Sequence, residues 1–146
     1  MEILILVNFS IFILISALHF YWAFGGAWAS RAVLPERTDG TKLFIPGKFA
    51  TILVASGLLL FALIMLVNLR SAWQEIIGTH GIELATWLII IVFATRAMGD
   101  FKYIGFSKRI KYTVFARYDS YLYSPLCLFI TVVTLLIVLN NPFDFL

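Results

Sequence analysis

The chain has 146 residues, of which 62% are hydrophobic and only 13% are charged, with a formal net charge of +3 and a mean hydropathy of +0.96. Soluble domains carry about 25% charged residues, so this composition excludes an ordinary soluble fold and predicts that lipid surrounds most of the chain. The single cysteine, Cys127, excludes an internal disulfide bond, and the basic residues cluster at the ends of apolar segments, which favours anionic lipid headgroups over nucleic acid as their partner.

Four apolar segments follow one another along the chain, and each is long enough to cross the hydrocarbon core as a helix. They cover approximately residues 3–24, 49–69, 82–98 and 121–139. Because helices satisfy their own backbone polar groups in lipid, we predict an all-α integral membrane bundle of four transmembrane helices, with residues 1–146 forming one domain. The chain starts Met1–Glu2 without a positive n-region, so we expect the first segment to be a span rather than a cleaved signal.

The positive charges lie almost entirely on one side of this predicted bundle. Only Arg70, in the short connection between the second and third spans, falls on the opposite side. The other ten of the eleven Lys and Arg residues are Arg31, Arg37, Lys42, Lys48, Arg96, Lys102, Lys108, Arg109, Lys111 and Arg117. The positive-inside rule therefore predicts that both basic loops are cytoplasmic and that both termini lie outside.

A basic and aromatic segment precedes the fourth span and is expected to lie at the membrane interface. Within it Tyr103, Phe106, Ile110 and Val114 recur at three- and four-residue spacing, which predicts a helix in the headgroup plane. The cations Lys108, Arg109 and Lys111 are candidates for contact with lipid headgroups, with their stems along the membrane surface. The β-branched and aromatic run over residues 112–115 favours an irregular, re-entrant path as the alternative.

The predicted topology brings a set of polar and aromatic side chains to one depth near the cytoplasmic face. Ionisable residues inside a membrane are costly and therefore indicate function. The candidates for ligand binding are His19, Trp22, Arg96, Asp100, Asp119, Tyr121 and Tyr123, with Ser124 and Cys127 nearby. Arg96 is expected to pair with Asp100 or Asp119, and His19 with Asp119 or a tyrosine hydroxyl. Structural ion pairing is the competing interpretation of the charged residues.

The sequence indicates neither a metal site nor a cofactor. His80 and Glu83 stand three residues apart, but a metal needs more ligands, and an exposed helix start with Glu83 favoured by the helix dipole is the better explanation of this pair. The chain contains neither a phosphate-binding P-loop nor the G-x-S-x-G or H-E-x-x-H motif. No catalytic residue can therefore be named from motifs.

Three stretches carry a resemblance to a known family. They read HFYWAFGGAW at the end of the first span, RAMGDFKYIGF after the third, and YDSYLYSPLC at the start of the fourth. With the proline-bearing first loop, they resemble a family of small bacterial four-span membrane proteins of unknown function. The resemblance implies a bacterial cytoplasmic (inner) membrane location and no established activity. The matching positions are His19, Trp22, Gly25, Gly26, Arg96, Gly99, Asp100, Asp119 and Pro125.

Three functions remain open from the sequence. The first is binding or transport of a lipid-like or small amphipathic ligand at a polar pocket in the cytoplasmic leaflet. The second is an accessory or structural subunit that docks a membrane-protein partner or further copies of this chain. The third is a small membrane enzyme that uses His19 with Asp100 or Asp119 as acid and base. Aromatic and basic residues at the inner face suit lipid contact and partner contact equally.

Overall fold

The computed structural model describes residues 1–69 and 71–140, and the secondary structure in these residues is helical apart from one isolated β-bridge. The helices are α1 (Glu2–Ala23), α2 (Ser30–Val33), α3 (Lys48–Asn68), α4 (Ser71–Ile77), α5 (Thr79–Met98), α6 (Val114–Tyr118) and α7 (Ser124–Asn140). A π-helical turn, Asp119–Tyr123, joins α6 to α7. Arg70, the one cation expected on the opposite side, lies outside the described residues.

Four helices in the described residues are long and apolar enough to cross a membrane, which confirms the predicted fold class. They are α1, α3, α5 and the continuous helix Val114–Asn140. The first three begin and end close to their predicted limits. The fourth begins at Val114 rather than near Tyr121, and its 27 residues would reach about 40 Å, more than the hydrocarbon core requires. Its first turns are therefore expected to stand at the interface.

Neighbouring long helices run antiparallel. The Phe12 and Phe61 rings are 5.9 Å apart, while Ser16 donates to the Ala55 carbonyl oxygen at 2.8 Å, so positions rise along α1 as they fall along α3. The same opposition holds between α3 and α5, where Phe61 lies 6.2 Å from Phe93 and Asn68 donates to Thr86. The end of α5 and the start of the fourth helix therefore meet at one end of the bundle, together with the end of α1 and the start of α3. We call this the basic end.

The centre of the bundle is filled by aromatic and aliphatic side chains. Phe12 is fully buried, and its ring lies 5.4 Å from that of Phe93. Met65, Ile89 and Ile130 belong to the same buried cluster. A buried hydrogen bond from Asn8 Nδ2 to Thr134 Oγ1, 3.0 Å long, joins α1 to α7. Such bonds contribute about 0.6–2 kcal/mol in membrane bundles, so this bond adds to the close packing of the layer.

The predicted interfacial helix is wrong between Gly99 and Thr113, which form turns and bends instead. This segment returns to the end of α5: the Phe106 amide donates to the Ala97 carbonyl oxygen at 2.9 Å. Three residues of the segment, Gly99, Phe101 and Gly105, have positive φ angles of 84°, 62° and 84°, which a right-handed helix excludes. The irregular path, kept as the alternative, describes this segment correctly.

Candidate ligand-binding site

Asp119 is the centre of a buried charged cluster at the basic end of the bundle. Its side chain is 0% exposed. Arg96 Nη2 donates to Oδ1 at 2.8 Å, while the Gly105 amide and Lys108 Nζ donate to Oδ2 at 2.8 and 3.0 Å. We call Asp119, Arg96, Lys108 and Gly105 the Asp119 cluster. It connects the fourth helix, the end of α5 and the segment between them. Of the two partners expected for Arg96, the structure selects Asp119.

Lys108 differs from the two cations with which the sequence grouped it. Its residue is only 3% exposed, and Nζ also donates to the Gly105 carbonyl oxygen at 3.0 Å. Burial of this ammonium removes it from headgroup contact, because its donors are directed at Asp119 and the backbone. Arg109 and Lys111 are exposed, as expected for side chains at an interface. The prediction of three equivalent headgroup cations is therefore corrected for Lys108.

Asp100 shapes the segment between α5 and α6 rather than pairing with Arg96. Its Oδ1 accepts hydrogen bonds from the amides of Lys102, Tyr103 and Ile104 at 2.9, 2.6 and 2.9 Å. Partial burial raises the pKa of Asp100, but these amide bonds lower it by more, so its pKa lies below the ordinary value. The carboxylate stays ionised at neutral pH and holds the turn that carries Gly105 towards Asp119.

Two glycines allow this turn to lie against the end of α5. A Cβ on Gly99 would overlap the Ile104 carbonyl oxygen, and a Cβ on Gly105 would overlap the Met98 carbonyl oxygen. Only glycine combines this close backbone approach with a positive φ angle at low cost. Gly99 also ends α5, and its amide donates to the Thr95 carbonyl oxygen at 2.9 Å. The two glycines therefore position the Gly105 amide that Asp119 accepts.

The π-helical turn sets which side chains of the fourth helix face the bundle. Asp119 and Ser124 stand five residues apart and are both fully buried, whereas buried positions of an α-helix recur every three or four residues. The Ser124 amide donates to the Asp119 carbonyl oxygen and closes the turn. The buried face then continues in α7 through Cys127 and Ile130. The extra residue of the turn thus directs both Asp119 and Ser124 inward.

Two donors of this region have no partner within residues 1–69 and 71–140. They are Arg96 Nη1 and Ser124 Oγ, and both atoms are buried. The Arg96 side chain as a whole is 32% exposed, although its Nη1 atom is buried. The two cations and one carboxylate of the Asp119 cluster leave a net charge of +1. The region is therefore short of hydrogen-bond acceptors and of negative charge.

His19 is not brought to either predicted carboxylate. In the described residues its only hydrogen bond runs between Nδ1 and the Ile15 carbonyl oxygen, 2.8 Å apart. The edge of its ring meets Trp22 at a centroid distance of 5.2 Å, and the Trp22 indole donates to the Trp28 carbonyl oxygen at 2.8 Å. His19 and Trp22 thus order the end of α1 and the first loop. The acid–base pair required by the enzyme hypothesis is not formed.

The two tyrosines predicted to bind a ligand lie in different surroundings. Tyr121 is 85% exposed and takes no part in the Asp119 cluster. Tyr123 is half-buried; its ring stacks on Tyr118 at 6.5 Å, and its hydroxyl donates to the Ala32 carbonyl oxygen at 3.4 Å. Tyr123 therefore ties α2 of the first loop to the fourth helix beside the cluster.

Sequence reasoning missed the parts played by Gly105 and Lys108. Neither has a periodic signal, because both act from irregular backbone between two helices. Ser124 was placed at the right depth, but its unpartnered hydroxyl depends on the π-helical turn, which no pattern in the sequence predicts. Among the described residues, no three His, Cys, Asp or Glu side chains come together as metal ligands.

A comparison with known families bears on this arrangement. Residues 12–134 match a family described as "Protein of unknown function (DUF3995)". The chain belongs to the DUF3995 family. The matched range contains α2 to α6, the π-helical turn and every residue of the Asp119 cluster, but the DUF3995 description assigns no activity to them. No curated protein and no solved structure matches the chain.

Proposed function

We propose that this membrane protein binds a lipid-like or small amphipathic ligand at the basic end of its bundle. The observation that carries the proposal is the state of Arg96, whose guanidinium is bound to buried Asp119 through Nη2 while Nη1 lacks a partner in the described residues. A buried N–H donor without an acceptor is costly, so a polar head that accepts from Nη1 would be stabilised. The apolar faces of the surrounding helices suit the rest of an amphipathic molecule.

The exposed surface around the site supports a ligand from the membrane. Both acids of the 99–119 segment are engaged internally, Asp100 by three backbone amides and Asp119 by its cluster. The cations left exposed, none of which forms an ion pair within the described residues, are Lys102, Arg109, Lys111 and Arg117. They alternate with exposed aromatic side chains, namely Phe101, Phe106, Tyr112, Tyr118 and Tyr121. This mixture favours anionic headgroups at an interface.

Binding is favoured over transport by a single chain. The Phe12, Phe61 and Phe93 rings lie within 6.2 Å of one another in the middle of the bundle. Met65, Ile89 and Ile130 beside them are 0% exposed. A route past these side chains would require the helices to separate, because close-packed cores lack continuous voids.

Native mass spectrometry of the protein gently extracted from its own membrane tests this function. We expect a retained lipid or small molecule whose occupancy falls about tenfold or more in Arg96→Ala, since a hydrogen bond to a charged group contributes about 1.5–3 kcal/mol. Arg37→Ala is the control, because Arg37 is an exposed cation of the first loop that lies outside both the Asp119 cluster and the exposed cations of the 99–119 segment. Helical content is measured alongside. Equal retention by the wild type and Arg96→Ala would contradict the proposal.

A role as accessory subunit is the second candidate, and the exposed aromatic side chains between Phe101 and Tyr121 favour it. Aromatic residues and arginine are enriched at protein interfaces. The same extraction distinguishes the two functions. A co-purifying membrane protein without any small ligand would favour the subunit role, and the Asp119 cluster would then be structural.

We further propose that the basic end faces the cytoplasm of a bacterial inner membrane, because ten of the eleven cations lie in its two loops or in the helix ends beside them. Single cysteines introduced at exposed positions, Thr38→Cys in the first loop and Thr79→Cys at the start of α5, test this orientation. We expect a membrane-impermeant maleimide to label intact cells at position 79 only. Cys127 is buried, so the parent chain supplies the background. Labelling at position 38 alone would reverse the orientation.

A further inference from the structure

The hydrogen-bonding capacity of the Asp119 cluster restricts what the proposed ligand can be. Each carboxylate oxygen of Asp119 already accepts, Oδ1 from Arg96 and Oδ2 from both the Gly105 amide and Lys108. The Gly105 carbonyl oxygen accepts the second hydrogen bond from Lys108. Three hydrogen bonds therefore already end on the Asp119 carboxylate and one on the Gly105 carbonyl oxygen, so a guest that offers only donors, such as an ammonium group, competes for acceptors already in use.

The donors show the opposite state. Arg96 Nη1 and Ser124 Oγ are buried and unpartnered in the part of the chain that the structure describes. Asp119 links them: its carboxylate accepts from Arg96, and its backbone carbonyl accepts from the Ser124 amide. Ser124 is 0% exposed, so its hydroxyl has no access to bulk water as a substitute. Buried hydrogen-bond donors without a partner incur a desolvation penalty, which an acceptor group would remove.

The net charge of the Asp119 cluster also favours an anionic ligand. Arg96 and Lys108 contribute two positive charges and Asp119 one negative charge, which leaves one positive charge unbalanced. Coulomb attraction strengthens where water is excluded, so a monoanion would be favoured over a neutral head. A guanidinium also presents paired N–H donors that match the oxygens of a phosphate or carboxylate.

We propose that Arg96 Nη1 and Ser124 Oγ form a binding site for an oxyanion, a phosphate or carboxylate group, beside the Asp119 cluster. This inference rests on the proposed function and specifies its ligand: the head of the amphipathic molecule is anionic and is held by these two donors. The oxyanion belongs either to a membrane lipid or to a free anion in solution, since both present the same oxygens.

Ser124→Ala is the decisive variant. Because the Ser124 hydroxyl has no partner to lose, the substitution is expected to leave thermal stability unchanged or raised, while it removes one donor from the anion. A hydrogen bond to a charged group corresponds to about a tenfold or larger loss of affinity. Ser120→Ala is the matched control, because Ser120 lies in the same π-helical turn and is not one of the unpartnered buried donors.

The measurement uses the purified full chain in micelles of an uncharged maltoside detergent, which carries no phosphate, with phosphatidylglycerol added in one arm and inorganic phosphate in the other, and native mass spectrometry as readout. Retention of phosphatidylglycerol that falls about tenfold in Ser124→Ala, but not in Ser120→Ala, would assign the site to a lipid head. The same pattern for inorganic phosphate would assign it to a free anion. Both results support an oxyanion site.

The failures of the two proposals are distinguishable. Retention of either anion that is equal in the wild type and Ser124→Ala would overturn the oxyanion site at these donors. A retained neutral amphipath that depends on Arg96 but not on Ser124 would also overturn it and leave the proposed function standing. Retention of no small molecule, either from the native membrane or in the detergent micelles, would overturn both.

Discussion

Replacing Asp119 by alanine is expected to destabilise the folded protein by about 3–5 kcal/mol, the cost of removing one partner from a buried ion pair. Lys108 is only 3% exposed, so without the carboxylate its ammonium would remain buried opposite a second cation, Arg96. The Gly105 amide would lose its acceptor as well. Unfolding by denaturant in detergent micelles, followed through tryptophan fluorescence, measures the effect.

Lys108→Met separates this penalty from simple loss of a contact. The methionine removes the buried cation and fills a similar volume, while Asp119 keeps Arg96 and the Gly105 amide. We expect Lys108→Met to cost less than Asp119→Ala, and the double variant to recover part of the loss, because the unpaired ammonium is gone. If Asp119→Ala unfolds within about 0.5 kcal/mol of the wild type, the value for an ordinary surface change, Asp119 does not hold this end of the bundle together.

Gly99→Ala is expected to cost at least about 2 kcal/mol and to loosen the segment that carries Lys108. The φ angle of Gly99 is +84°, a region that residues with a Cβ rarely adopt. An added Cβ would overlap the Ile104 carbonyl oxygen and stand 2.6 Å from the Gly105 Cα, and both obstacles are backbone atoms that cannot rotate away. Denaturant unfolding measures the loss, and faster hydrogen exchange at the Gly105 amide reports the loosened segment.

Gly57→Ala is the control for this prediction. Gly57 lies inside α3, and a Cβ there would meet nothing within 4 Å, so the change is expected to be neutral or to stabilise the helix by up to about 1 kcal/mol. Equal effects at positions 57 and 99 would show that backbone contact between Gly99 and the 104–105 turn is not needed for stability.

The four membrane spans were predictable from the sequence because the hydrophobicity of successive residues adds up along each segment. Some twenty apolar residues in succession, as in 49–69, have one favourable structure in lipid whatever their exact packing. The pairing of Arg96 with the start of the fourth helix was predictable in part, since the topology placed Asp119 at the depth of Arg96. The choice between Asp119 and Asp100 was not, because it depends on the turn that engages Asp100 with the amides of residues 102–104.

The segment before the fourth helix shows why the remaining details could not be predicted from the sequence. Tyr103, Phe106, Ile110 and Val114 have helical spacing, but spacing reports only which side chains could share a face. The positive φ angles at Gly99 and Gly105 prevent the helix, and the resulting turn buries Lys108. A lysine in a basic run is ordinarily solvated, so the burial of Lys108 follows from its contacts with Asp119 and the Gly105 carbonyl oxygen, which the sequence does not reveal.

Because of the π-helical turn between Asp119 and Tyr123, the orientation of Asp119 depends on the number of residues in the fourth helix as well as on their identity. Residues in an α-helix are separated by about 100° of rotation, so loss of one residue there would turn everything before it by that angle relative to α7. Asp119 would then swing away from Arg96 and the folded-back segment, although no side chain of the cluster had changed. We therefore expect a single-residue deletion between positions 119 and 123 to be more damaging than most substitutions there.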